Sequence, residues 1–368
     1  MNKTICIDAR LWGTRHTGIG RYIENLIAHL PNQDKVRVVL IVPPDLKQEP
    51  LLKNFPKVYA SSHPYSIWSQ FEMLLILLKV RPDLLHVPHF TIPVFWPGKI
   101  IVTIHDLIKH ISTGADTTTH SKSFYKIKFL GYLLIVRLAI NKASHIIVPA
   151  NYWKNDLLRR YKISSEKISV IYEGVNSGFF ESEKTGIQAD GIKTPYVIYA
   201  GNLYPHKNIP ILLQAVKSLS GSVNLALVCA RSVFSERIES MVSQLHMKSM
   251  VYFLGFVSDS RLASLYRNSQ AFITPSLIEG FGLPGLEAMA AGTPVIAADS
   301  SCLPEIYGKA ALYFDPNNPG QLADIIKKII FNEKLRQDLV RMGKTQVAKY
   351  SWSKMSQATW QIYQNALP

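Results

Sequence analysis

The sequence predicts an α/β protein built from two doubly wound halves in tandem. Three observations carry this. Apolar runs of strand length alternate with longer helical stretches, the alternation stops in a polar segment near the middle, and then it restarts. A chain of 368 residues is also too long for one ordinary core and long enough for two.

In the first half, strands are expected at 4–7, 36–42, 84–87, 100–104, 145–148 and 168–171, with helical stretches at 19–30, 66–79 and 151–161 between several of them. Residues 181–193 are polar and Gly-bearing with no clear period, and form the linker candidate. The second half offers strands at 196–200, 225–229, 251–254, 271–274, 295–297 and 312–314. The expected domains are residues 1–185 and 190–351. The amphipathic stretch at 351–367 outlies the second alternation, and as a helix over 352–368 it is a candidate to complete the first domain. Two such halves place a ligand cleft between them, at strand C-terminal ends.

Composition bounds the partners. Hydrophobic residues at 47% and charged residues at 18% exclude wholesale disorder. The N-terminal residues read as a strand and not as a secretory signal, and Cys6, Cys229 and Cys302 lie far apart, two of them in apolar runs. Buried thiols in a reducing, cytoplasmic compartment are expected, with neither disulfide nor metal site. The net charge of +15 calls for an anionic partner, and Lys122–Lys167 is especially basic. Within it the apolar run 129–136 is broken by Arg137, too short a span to cross a bilayer. Two readings stand: a buried helix whose lysines point outward, or a helix lying on anionic lipid at the inner face of the plasma membrane. Zinc-finger spacing and aromatic RNA-binding runs are absent, so no nucleic-acid partner is expected.

The most informative segment runs from Thr274 to Val295. A strand ends, a Gly-rich loop follows, and Pro284 stands where a helix would begin; Gly292 and Pro294 mark its end. Gly280 and Gly282 admit a ligand close to the backbone, and the helix start suits a diphosphate. Glu279 and Glu287 flank this anion site, where carboxylates repel phosphate but accept strong hydrogen bonds from sugar hydroxyls. Spacing alone leaves open that both are merely solvated.

Three further segments follow strands. Lys207, in Tyr199-Ala-Gly-Asn-Leu-Tyr-Pro-His-Lys-Asn208, suits a phosphate as a mobile point charge. The stretch Asp8–Tyr22 carries Gly18 and Gly20, but Ile23 stands where a dinucleotide fingerprint needs its third glycine. His105 and Asp106 end a strand; the ring suits a sugar hydroxyl or developing charge, and Asp106 suits fixing its tautomer or a neighbouring loop. His86 and His89 form an His-x-x-His, but Pro88 prevents a regular helix between them and disfavours a metal pair.

The Glu279–Glu287 segment resembles the E-x7-E element of the retaining, GT-B-fold glycosyltransferases of family 4, and the resemblance runs over most of the chain. It implies two Rossmann-like domains facing a cleft. It implies that Glu279 contacts the transferred sugar and Glu287 the nucleotide ribose, with Phe281, Gly282 and Leu283 offering backbone amides. It places Lys207 on the diphosphate, and Gly18 and Gly20 in a loop facing donor and acceptor, where Trp12, Arg15 and His16 line the acceptor side. In the family an Arg follows the Gly of the lysine loop; here Asn202 stands there, and His206 or Arg231 is the candidate replacement. The Thr-Gly-Ile-Gly-Arg-Tyr and Pro-His-Lys-Asn loops look most like bacterial mannosyltransferases of polysaccharide assembly. That implies GDP-mannose as the nucleotide-diphosphate sugar and a saccharide or lipid-linked saccharide as acceptor.

No Asp-x-Asp occurs in the chain, so a reaction without metal or other cofactor is expected. Two other readings explain parts of the pattern: a nucleotide-sugar 2-epimerase of the same fold, and a non-enzymatic anion-binding protein.

Overall fold

A computed structural model describes residues 3–13, 17–31, 36–113, 122–180 and 191–367. Contacts divide the chain into two compact units, one built from residues 1–107, 121–174 and 351–368, the other from 108–120 and 175–350. The linker candidate lies mostly outside the described residues.

The first half contains β1 (Lys3–Asp8), α1 (Thr17–Ala28), β2 (Val36–Val42), β3 (Lys57–Tyr59), α2 (Trp68–Val80), β4 (Leu84–Val87) and β5 (Ile100–Thr103). Then come α3 (Ile108–Ile111), α4 (Lys122–Lys142), β6 (His145–Val148), α5 (Asn151–Tyr161) and β7 (Ile168–Val170). Its seven strands form one sheet in the order β3-β2-β1-β4-β5-β6-β7, with every pairing parallel. Six strands match the sequence reading; the edge strand β3, Lys57–Tyr59, is only partly buried and offers no apolar run to read. Strands β4 and β5 are buried along their whole length, as expected where helices cover both faces.

The second half contains β8 (Tyr196–Ala200), α6 (Ile209–Ser218), β9 (Asn224–Val228), α7 (Val233–Gln244), β10 (Val251–Gly255), α8 (Asp259–Asn268) and β11 (Phe272–Thr274). It continues through α9 (Leu283–Ala290), β12 (Val295–Ala298), α10 (Leu303–Tyr307), β13 (Ala311–Phe314), α11 (Pro319–Phe331) and α12 (Glu333–Val347). Its six-stranded parallel sheet runs β10-β9-β8-β11-β12-β13. Both units are thus doubly wound, Rossmann-like α/β layers. In each, strand order reverses beside the first strand: between β1 and β4, and between β8 and β11. Such a reversal is where doubly wound folds bind their ligands, at the carboxyl ends of the strands.

The last helix, α13 (Trp352–Ala366), belongs to the first unit. Ser351 caps it, accepting from the amide of Lys354. The Ser356 hydroxyl donates to the carbonyl of Leu26 in α1. Tyr363 meets Nδ1 of buried His86, whose Nε2 lies 2.9 Å from Thr103 Oγ1. Both ring nitrogens of His86 are therefore engaged in the core, which removes it as a metal ligand.

Helix α4 corrects one of the two sequence readings. Val136, Ala139 and Ile140 are buried, but Ile127, Leu130 and Leu134 are exposed beside Lys126, Lys128 and Arg137. The outer face is therefore apolar as well as basic, and not lysines alone.

Candidate functional site

In the second unit, two loops leave adjacent strands at the point where strand order reverses. The loop after β8 passes Gly201 and turns through a short 3-10 segment, Pro205–Lys207. It is pinned by Tyr199, whose hydroxyl donates to the carbonyl of Asn202 at 2.5 Å, and by Asn208, whose amide donates to Pro316. The loop after β11 carries Ser276 and Glu279. The amide of Leu277 donates to the carbonyl of His206 at 2.8 Å, so the backbones of the two loops are tied together.

That tie brings Lys207 to Glu279. The ammonium lies 2.7 Å from both carboxylate oxygens, and each side chain is only 13% exposed. Ser276 donates to the same carboxylate at 2.7 Å, and the Glu279 amide donates to Ser301 Oγ at 3.0 Å. Burial works against the Glu279 charge. The Lys207 ammonium and the hydrogen bonds from Lys207 and Ser276 outweigh it and hold the carboxyl below its usual range. Ser301 adopts a left-handed φ of 50°, a conformation that costs a residue with a Cβ and is here fixed beside the site.

Next along the chain, Gly282 caps α9 with φ 96°. A Cβ there would lie 2.7 Å from the hydroxyl of Tyr307, which donates to the carbonyl of Gly282. Only glycine fits this corner, and it is what turns the start of α9 out of the loop. Pro284 sits in the first turn, as its fixed φ favours, and the helix ends at Ala290 ahead of Gly292 with φ 81°. The Leu283 amide has no acceptor within the helix, which is the usual anion-facing end. The Phe281 ring itself is buried edge-on against Tyr350. Glu287 is one turn inside α9 and 4% exposed.

The candidate replacements for the missing arginine separate here. Asn202 is exposed, and its side chain accepts from the Tyr204 amide. His206 stacks on Tyr204; burial, joined by the Lys207 charge, pulls its ring down to about 4, so it is neutral at neutral pH. Arg231 is exposed just beyond β9, the strand paired with β8.

In the first unit, the end of β1 holds a pair that the sequence reading passed over. Arg10 donates from Nε and Nη2 to the two carboxylate oxygens of Asp8 at 2.8 and 2.7 Å, both residues being buried. Burial opposes the Asp8 charge, yet the guanidinium keeps its carboxyl below the usual range. The same Arg10 reaches Ser69 at the start of α2. The Asp-x-Arg spacing at a strand end was its only visible signal. Gly20 in α1 lies against this loop: a Cβ would come 1.9 Å from the carbonyl oxygen of Gly13, whereas Gly18 faces open space. Trp12 is buried, and Arg15 and His16 lie outside the described residues.

His105 follows β5. Its Nδ1 lies 3.1 Å from Glu173 Oε1 and its Nε2 3.1 Å from the carbonyl oxygen of Pro88, with Tyr22 edge-on at 4.7 Å. The carboxylate on Nδ1 thus comes from buried Glu173 and not from Asp106, which is half-buried next in the chain. Glu173 follows β7, and nothing in its sequence surroundings marks it. Among the described residues, no three His, Cys, Asp or Glu side chains converge as metal ligands.

Comparison with known proteins decides what this arrangement belongs to. A family described as Glycosyl transferases group 1 matches residues 182–346, and Glycosyltransferase Family 4 matches residues 16–179. The O-antigen chain mannosyltransferase RfbU of Salmonella typhimurium is 32% identical over 267 residues, covering 72% of each protein. The chain is a family 4 glycosyltransferase. The glycosyltransferase is also 24% identical over 377 residues to O-antigen chain mannosyltransferase B of Escherichia coli, covering 94% of this chain and 96% of that one. Among solved structures, Anabaena HepE in complex with UDP and glucose matches with a TM-score of 0.77 at 18% identity, over 99% of this chain and 100% of that one. Sucrose-phosphate synthase from Thermosynechococcus elongatus matches with a TM-score of 0.76 at 20% identity, over 99% of each. These likenesses show the GT-B fold.

Proposed function

We propose that this glycosyltransferase moves mannose from GDP-mannose to a lipid-linked saccharide, with retention and without a metal, in O-antigen-type polysaccharide synthesis at the inner membrane face. The observation that carries the donor half of this reading is the Lys207–Glu279 pair, held where the β8 and β11 loops meet. The names of the two mannosyltransferase relatives support the sugar and the pathway.

In this reading, arrival of the donor divides the pair. Lys207 turns to the diphosphate, together with the amides at the start of α9, and Arg231 supplies the second cation that Asn202 does not. Glu279 then accepts from hydroxyls of the transferred sugar, and Glu287 from the ribose. As the glycosidic bond breaks, negative charge grows on the departing GDP; fixed donors aimed at it lower the barrier. The departing phosphate takes the acceptor's proton on the same face, so the anomeric configuration is kept. His105, positioned by Glu173, steadies the charge that develops on the sugar.

A thermal-shift screen over nucleoside diphosphates and their sugars tests the reading. GDP or GDP-mannose at about 100 times its dissociation constant adds about 2.7 kcal/mol of stability. A response to no nucleoside diphosphate overturns the donor site. A UDP- or dTDP-selective response overturns the choice of base. NMR of the product tests retention, and an inverted linkage contradicts it. Chelator should leave the rate unchanged.

A further inference from the structure

Helix α2 presents an apolar face that nothing among the described residues covers. Trp68, Phe71, Leu75 and Leu78 recur at helical spacing and are between 51% and 73% exposed, while Met73, Ile76 and Leu77 on the opposite side are buried. Phe95, 62% exposed, stacks on Phe71 at 6.4 Å and widens the face. A contiguous patch of this kind on a folded chain marks an interaction surface.

The charge around it selects the partner. The helix's one carboxylate, Glu72, is drawn away by the amides of Ser61 and Ser62, each at 2.8 Å. Exposed Lys79 and Arg81 end the stripe. Residues 1–107, 121–174 and 351–368, the first unit, hold 23 Lys and Arg against 11 Asp and Glu, a formal +12 of the chain's +15. The segment 90–95 lies between α2 and α4: Gln70 bonds the backbone of Ile92 and Val94, Lys142 donates to Val94, and Phe90 meets Tyr132 edge-on at 5.2 Å. On α4, Ile127, Leu130 and Leu134 form a second exposed stripe among basic residues. No helix among the described residues is long and apolar enough to cross a membrane.

We propose that the α2 face with Phe95, aided by the basic α4 stripe, docks the enzyme onto an anionic bilayer. Apolar and aromatic side chains enter the interface while flanking lysines and arginines meet acidic headgroups. A second copy of the chain is the poorer occupant, because it would bring two strongly cationic units together. The inference deepens the proposed function, resting on its lipid-linked acceptor: it names the surface that would bring the enzyme to it.

Flotation of the purified full chain with vesicles of phosphatidylcholine, with and without phosphatidylglycerol, tests it. Wild type should float with the anionic vesicles and lose binding as salt rises. The double variant Trp68→Ser/Leu75→Ser should lose at least about tenfold in partitioning, because two large apolar groups leave the interface. Its thermal stability and nucleotide affinity should stay at wild-type values, which excludes misfolding. Lys126→Ser and Lys79→Ser should each cost about fivefold on anionic vesicles only. Flotation of the double variant equal to wild type overturns the proposal. So does a concentration-dependent dimer in sedimentation that Leu75→Asp dissociates. Failure of vesicle binding with transfer to a water-soluble acceptor intact sinks the docking face alone; vesicle binding without any transfer sinks the functional reading alone.

Discussion

Lys207 and Glu279 hold one another across two loops, the ammonium 2.7 Å from both carboxylate oxygens in a site that admits little water. A partly buried pair of this kind is worth little against apolar packing but costs heavily to break from one side. Lys207→Met leaves Glu279 buried without its cation, and should destabilise the second unit by about 3–5 kcal/mol near neutral pH. Its carboxyl would then titrate upward, so the penalty should shrink as pH falls and the group takes a proton. Adding Glu279→Gln should recover part of the loss. Urea unfolding of the single and double variants across pH checks this, and additive losses would refute the coupling.

Acid should loosen α13. Burial pulls the His86 ring down to about 3, whereas in the unfolded chain it titrates near 6.5. Between those values the unfolded chain binds a proton that the folded chain refuses. Stability is therefore present above 6.5 and is lost as pH falls, by about 1.4 kcal/mol per pH unit. His89, pulled by burial to about 4, adds in the same direction. His86→Gln should flatten the dependence by about that slope between about pH 6 and about pH 4. Hydrogen exchange of α13 across pH reports it directly, since Tyr363 is bound to His86.

The two glycines of the first loop should behave differently. Gly20→Ala forces a Cβ into the carbonyl of Gly13 and should lower stability markedly, with the loop displaced. Gly18→Ala meets open space and should fold normally. A fall in turnover for Gly18→Ala at unchanged melting temperature would assign that position to substrate; unchanged kinetics would leave only Gly20, as a packing residue.

Arg231→Ala should weaken GDP binding by about tenfold or more, the worth of a charge-assisted hydrogen bond, while His206→Ala should cost much less because the ring is neutral. Calorimetric titration with GDP compares them. Equal affinities for Arg231→Ala and wild type would remove the second cation from the account.

Most of the fold was legible because parallel strands buried on both faces are unbroken apolar runs. β4 and β5 are examples, and β3 escaped because Lys57–Tyr59 is only partly buried and forms no apolar run. Glu279, Glu287 and Lys207 were singled out by the punctuation around them, glycines, a helix-start proline and strand ends, and their roles came from the family resemblance. What the sequence could not display were pairings made by folding over long separations. Glu173 lies 68 residues from His105, and Lys207 lies 72 residues from Glu279. The apolar face of α2 was equally hidden. Its composition is apolar on both sides, so only packing tells which side the core takes.

The most direct measurement is acceptor-dependent release of GDP from GDP-mannose by wild type and Glu279→Gln, with a lipid-linked saccharide extract as acceptor. Wild type should turn over, and the variant should bind GDP with nearly wild-type affinity yet turn over about 10²–10³-fold more slowly, the usual cost of removing one group that meets the transition state. A variant as fast as wild type would contradict the assignment of Glu279 to the transferred sugar, and with it the donor site.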